Sequence, residues 1–197
     1  MTTTPAQTTY VADKILAYTF GGASYTQPTP YMAAVRCSAG QSPRSTAVTS
    51  GQTTVPASPN GHMYRCTTAG TTGAGEPTWG VTSGGTTTDG TATWTEMTPD
   101  FQAFNSNVTG VEANYTGYTR VAVGSAMGTP SANSITKTSA ISLPACTGGT
   151  NVLGAWFTAD ASTSGNGLWF GCLTATLSVS SGITPSFAAS ALTASSN

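Results

Sequence analysis

Side chains able to do acid–base, nucleophilic or metal chemistry are few and scattered in this sequence. His62 is the single histidine. A hydrolytic triad needs a base held beside a nucleophile and oriented by a third group. His62 sits instead in a strand-like run with Met63 and Tyr64, so a structural role is expected. Ser134-Ile135-Thr136-Lys137 matches the Ser-x-x-Lys string of penicillin-binding enzymes, but in an alternating strand pattern and not at a helix start, and it is read as coincidence. No Gly-x-Ser-x-Gly elbow, Walker loop or dinucleotide fingerprint occurs. Glu76, Asp89, Glu96 and Asp100 form the densest acidic group and have the residue types of a calcium site or a glycosidase pair. Their spacing follows no ligand loop, so turn chemistry or a solvated face is expected. No catalytic residue, metal ligand or cofactor is predicted.

Cys37, Cys66, Cys146 and Cys172 lack Cys-x-x-Cys spacing, which disfavours zinc and thioredoxin-like chemistry. Two readings stand: four buried free thiols, or two disulfides, Cys37–Cys66 clamping the base of an insertion and Cys146–Cys172 tying neighbouring strands. Trp79 and Trp94 lie in a polar, Gly-rich stretch. Flat aromatic faces with hydrogen-bonding neighbours hold sugar rings, which makes both candidate contacts for a glycan or a protein partner. The competing reading is that they fill a small core.

Composition narrows the frame around these residues. Only 7% of the chain is charged, with six Lys/Arg against seven Asp/Glu, so no basic stripe can release counterions from phosphates and no nucleic-acid partner is expected. A membrane partner is not expected either. Met1 to Ala6 shows no basic region leading into an apolar one, and no run approaches ~18 apolar residues, so the chain is expected to be soluble without a cleavable signal. Val, Ile, Leu and Phe supply just 28 of 197 residues, whereas Ser and Thr supply 61. A core that thin calls for support from assembly contacts, because surface buried between copies offsets the entropy of ordering the chain.

The elements that must position these side chains read as one helix followed by strands. Val11, Ile15 and Tyr18 recur at i, i+4 and i+7 after Thr8 or Thr9, and Gly21-Gly22 closes the helix, predicted over 9–20. Tyr31 to Cys37 reads as an apolar strand, and 38–60 as a long loop. Asp89-Gly90 followed by alternating residues to Glu96 is a hairpin signature, and 62–97 forms a small two-Trp β unit inside an insertion spanning 38–110. Further strands are predicted at 118–123, 134–143, 152–157, 168–173, 176–179 and 186–192. Strands punctuated this evenly predict an all-β fold, a β-sandwich or jelly-roll-like domain built from 1–37 and 111–197, with 1–8 as an N-terminal arm.

Three stretches carry a resemblance. The run from Lys14-Ile15-Leu16 through Gly21-Gly22-Ala23-Ser24-Tyr25-Thr26-Gln27-Pro28 to Tyr31-Met32-Ala33-Ala34-Val35 is one. Glu112 followed by Tyr118-Thr119-Arg120-Val121-Ala122-Val123 is another, and the strand order over 151–193 is the third. Together, over 8–37 and 111–194, they resemble short bacteriophage virion proteins of the tail-fibre-like or capsid decoration type. The chain departs from that pattern in its long 38–110 segment and in Asp160-Ala161-Ser162-Thr163-Ser164-Gly165, a loose version of the family's turn. Glu76-Pro77-Thr78-Trp79 with Asp89-Gly90-Thr91-Ala92-Thr93-Trp94 is similar to a small module of phage structural proteins that carries a glycan-binding label.

The resemblance implies a non-enzymatic structural protein of the virion, assembled in the host bacterial cytoplasm. The first expectation is a capsid decoration, or cement, protein that binds the major capsid protein or other virion proteins as a homo-oligomer. There, the helix and arm would dock on the shell or a neighbouring copy. The alternative is a tail or head fibre component binding host-surface glycan. A depolymerase would need an acidic pair that the sequence does not offer.

Overall fold

The computed structural model describes residues 6–24, 26–124, 127–132, 134–189 and 193–195. The N-terminal half runs β1 (Ala6–Gln7), α1 (Thr9–Phe20), β2 (Tyr31–Arg36), β3 (Ala47–Val48), β4 (Thr53–Thr54), β5 (Tyr64–Thr68), β6 (Gly70–Thr71), β7 (Thr86–Asp89) and β8 (Ala92–Glu96). It continues with α2 (Thr98–Ala103), α3 (Ser106–Thr109), β9 (Val121–Ala122), β10 (Ser134–Thr136), β11 (Ile141–Ser142), β12 (Asn151–Ala159), β13 (Gly167–Val179), β14 (Ser186–Phe187) and β15 (Thr193–Ser195). The all-β class therefore holds, with the short helix at the predicted place. Part of the predicted arm, residues 1–5, and the end of the predicted 186–192 strand lie outside the described residues.

The organising element is an antiparallel sheet in the order β1-β13-β12-β2-β9, buried on both faces. Period-two alternation sorts its side chains. Met32, Ala34 and Trp156 point into one core with Tyr115, Ile141, Leu143, Cys146 and Phe187. Ala33, Val35, Ala155, Phe157 and Phe170 point into the other, whose roof is Val55, Met63, Met97, Phe101 and Val108. Among the described residues, one four-stranded sheet, in the insertion, and three two-stranded pairs stand beside this central sheet. One face is covered by loops and the two-stranded pair β11-β14, the other by α2, α3 and the underside of the insertion.

The insertion is not a freestanding appendage, since it supplies that roof as well as a core of its own. Its four-stranded sheet, β4-β5-β8-β7, surrounds Val48, Tyr64, Cys66, Ala92 and Trp94. The predicted hairpin forms as β7–β8, with Gly90 at φ +64°, where a side chain would collide with the Thr71 carbonyl.

A buried ion pair fixes the other end of the sheet. Arg120 grips Glu112 with both Nε (2.9 Å) and Nη2 (2.8 Å), and its Nη1 donates to the carbonyls of Ala161 and Ser164 in the β12–β13 turn. The Tyr118 hydroxyl donates to Glu112 Oε1 at 2.7 Å and accepts from the Ala34 amide. The guanidinium also lies 5.0 Å from the Phe157 ring centre. Burial alone would lower the Arg120 pKa, but hydrogen bonding and charge from Glu112 outweigh it and raise it. Predicted strand 118–123 shrinks to Val121–Ala122 because Tyr118 and Arg120 are spent on this cluster.

Candidate functional site

The four acidic residues singled out by spacing do not converge. Each is the hub of a separate hydrogen-bond cluster that holds loops of the insertion in place. Asp89 receives a two-pronged contact from Arg44 (2.9 and 2.7 Å) and hydrogen bonds from the Gly73 amide and Trp94 Nε1. Glu96 binds His62 Nδ1, the amides of Gly84 and Thr98, and the Thr98 hydroxyl. Asp100 takes Arg65 Nε, Asn105 Nδ2 and Asn107 Nδ2. Burial pushes the Asp100 carboxyl up, but these donors outweigh it and hold it below the usual carboxylate range. No group of three metal-ligating side chains occurs among the described residues.

The other reactive side chains are similarly absorbed. His62 pairs with Glu96, matching its expected structural role. Lys137 is fully buried and donates to the carbonyls of Ser139 and Phe187, so its protons serve the fold. The cysteines are free thiols and all buried. The disulfide alternative fails on placement, because the proposed partners belong to different cores: Cys37 and Cys172 in the roofed core, Cys66 in the insertion and Cys146 on the opposite face. Burial pushes Cys37 and Cys172 up to about 12, which keeps them protonated and unreactive.

The tryptophans do come together, with divided roles. Trp94 is fully buried and has no face to offer a ligand, which corrects its place among the candidate contacts. Trp79 is part-exposed, its ring 4.4 Å from Tyr64 and 6.1 Å from Trp94, centre to centre. The indole Nε1 of Trp79 donates to Glu76 Oε1 at 2.9 Å, which fixes the ring's orientation. The Ser42 hydroxyl and the Ala57 amide converge on the same oxygen, leaving Oε2 with no hydrogen-bond partner among the described residues. Burial raises the Glu76 pKa, but these donors and the Arg44 charge outweigh it, so the carboxylate stays ionised well into acid. Beside it lies an open depression of about 500 Å³ lined by Gln41, Ser42, Arg44, Ala57, Ala74 and Glu76. An ionised carboxylate with amide and hydroxyl groups lining a shallow hollow, and a part-exposed indole hydrogen-bonded to that carboxylate, can hold a polyhydroxylated ligand.

A second surface lies on α1, the helix that the sequence reading expects to dock. Among the described residues, six large apolar side chains are exposed, and four of them, Ile15, Leu16, Tyr18 and Phe20, fall within one turn and a half of α1. Their spacing is legible, but by pattern alone it reads as the inner face of a packed helix.

Residues 97–195, just over half of the chain, match the family described as Podophage GP4 fiber I protein gp80. The chain belongs to this family. No curated protein matches it. The gp80-family segment begins at Met97 in the roofed core and runs from α2 to β15. It contains the Glu112–Tyr118–Arg120 cluster and the Asp160–Gly165 turn, two places where the chain is compared above with virion proteins. It leaves out α1, β2 and the Trp79 unit. Of the two virion readings, the family favours the fibre over capsid decoration.

Proposed function

We propose that this gp80-family chain is a non-enzymatic fibre subunit of a podophage virion, and that its insertion meets the host surface through Trp79 and the neighbouring depression that Glu76 lines. The observation that carries the fibre reading is the family match over 97–195. Capsid decoration, the first expectation from sequence, has no comparable support. The absence of catalysis is consistent with acidic side chains that are each tied into separate loop clusters. The partners are other virion proteins, and neutral surface glycan is the ligand class that an indole plate beside a carboxylate suits.

Two measurements test this reading. Copy number against the major capsid protein in purified virions distinguishes a few to a few dozen fibre copies from the hundreds that decorate a shell. Titration of indole fluorescence with host surface polysaccharide should saturate in the intact chain and vanish in Trp79→Ala. A flat titration with both chains refutes the glycan contact, and hundreds of copies refute the fibre.

A further inference from the structure

Three of the four arginines are spent on carboxylates: Arg44 on Asp89, Arg65 on Asp100 and Arg120 on Glu112. Arg36, the last residue of β2, is the exception. Among the described residues its guanidinium makes one hydrogen bond, a long 3.5 Å contact from Nη2 to the Gly110 carbonyl, and no ion pair. Glu112, whose backbone bridges to the neighbouring Val35, is already held by Arg120 and Tyr118.

Arg36 lines an open cleft of about 430 Å³ at one end of the central sheet, a size at which small molecules are held. Ser38, Asn114, Thr150 and Asn151 are its other polar lining residues, and none of the lining is acidic. Asn151 builds the floor and is only 9% exposed. Its Nδ2 donates to Asn114 Oδ1 at 3.0 Å and to the Thr150 carbonyl at 2.6 Å, and its Oδ1 accepts from the Asn114 amide at 2.9 Å. These bonds fix Asn114 while its own Nδ2, like the Thr150 hydroxyl, has no partner among the described residues. The Ser38 hydroxyl is spent on Thr53. What the cleft still offers is a set of donors: a guanidinium fork, a carboxamide and a hydroxyl. The Trp79 side is the reverse, since the unspent group there is the Glu76 carboxylate.

We propose that the Arg36 cleft is a second binding site, taking the carboxylate of an acidic sugar of the uronic acid class. A guanidinium presents paired N–H donors that match the two oxygens of a carboxylate. Ring hydroxyls beside that carboxylate give Asn114 and Thr150 a partner as well, which a bare carboxylate does not. The site is separate from the hollow beside Trp79, and its test uses neither virions nor host polysaccharide, so the two readings stand or fall apart.

Titration of the isotope-labelled full chain with sodium D-glucuronate at pH 7 and fixed ionic strength, read by amide chemical shifts, tests the proposal. Saturable shifts around Arg36, Asn114 and Thr150 are expected, with a Kd on the order of 1 mM, as suits a ligand of this size. Arg36→Met should weaken binding more than about tenfold. Circular dichroism and melting should be retained, because the side chain's one hydrogen bond is long. Asn114→Ala should weaken binding by about threefold to tenfold. Sodium acetate and inorganic phosphate should each bind at least about tenfold more weakly than glucuronate, and neutral D-glucose should leave the same amides unmoved. Glucuronate shifts that fail to saturate by about 50 mM overturn the proposal. So does an Arg36→Met chain that binds as the parent does, or glucose that binds as tightly as glucuronate. Acetate or phosphate as tight as glucuronate also overturns it, because the cleft then takes any oxyanion, the acidic side chain of a partner protein included.

Discussion

Replacing Arg120 with alanine is expected to be the most damaging single change on the gp80-family half of the chain. The side chains of Arg120 and Glu112 are 5% and 16% exposed, and the guanidinium makes four hydrogen bonds, two to Glu112 and two to the β12–β13 turn. Alanine leaves a buried carboxylate with the Tyr118 hydroxyl and two turn carbonyls without their donor. Breaking a buried pair from one side costs about 3–5 kcal/mol. For a domain near 200 residues each kcal/mol moves the melting temperature by about 2–4 °C, so Arg120→Ala should melt about 6–20 °C lower. Removing both charges together, as Glu112→Leu with Arg120→Met, should recover much of that loss, because the unpaired charge and not the missing attraction dominates the damage. Thermal melts of the parent, Arg120→Ala and the double variant at pH 7 decide it. Arg120→Ala within about 1 kcal/mol of the parent, or a double variant no more stable than Arg120→Ala, would refute the reasoning.

Other expectations follow from the same accounting of buried groups. Trp94→Ala should cost about 3–5 kcal/mol by emptying the insertion's core, whereas part-exposed Trp79→Ala should cost distinctly less in a denaturant titration. Native-state alkylation should label none of the four cysteines within minutes, and mass spectrometry after denaturation should find all four labelled without a reductant. Stability should fall as acid is approached from above. A carboxyl whose pKa is depressed by folding, as at Asp100, contributes fully above its unfolded value near 4, and that contribution disappears as pH falls through the folded one. Asp100→Asn should flatten the melting curve's pH dependence below about pH 4.

Local pattern carries well where one element decides its own shape. Thr8 and the Val11–Ile15–Tyr18 spacing place α1, and Asp89-Gly90 places the β7–β8 turn. It fails where a distant group overrides the pattern. Ser134 to Leu143 alternates like one strand but splits into β10 and β11, paired with different partners on either side of Lys137. The segments 168–173 and 176–179 read as two strands but form the single long β13, whose pairing with β12 slips between Leu153 and Ala155. Helices α2 and α3 escape the pattern although Pro99 at the start of one and Asn105 capping the other are visible, because each is too short to show helical periodicity. At the candidate site, the sequence points to Trp79 and Trp94 together. Only packing separates the ring that fills a core from the ring that meets solvent.

The roof over the central sheet has a bearing on how such a chain can be inherited. Val55 and Met63 cover Ala33, Val35 and Phe157 from below the same stretch that displays Trp79 above. A recombination event that replaced 38–96 with a foreign cassette would bare that face of the sheet unless the newcomer brought a matching underside. Diversification by shuffling is therefore constrained to whole units with compatible floors.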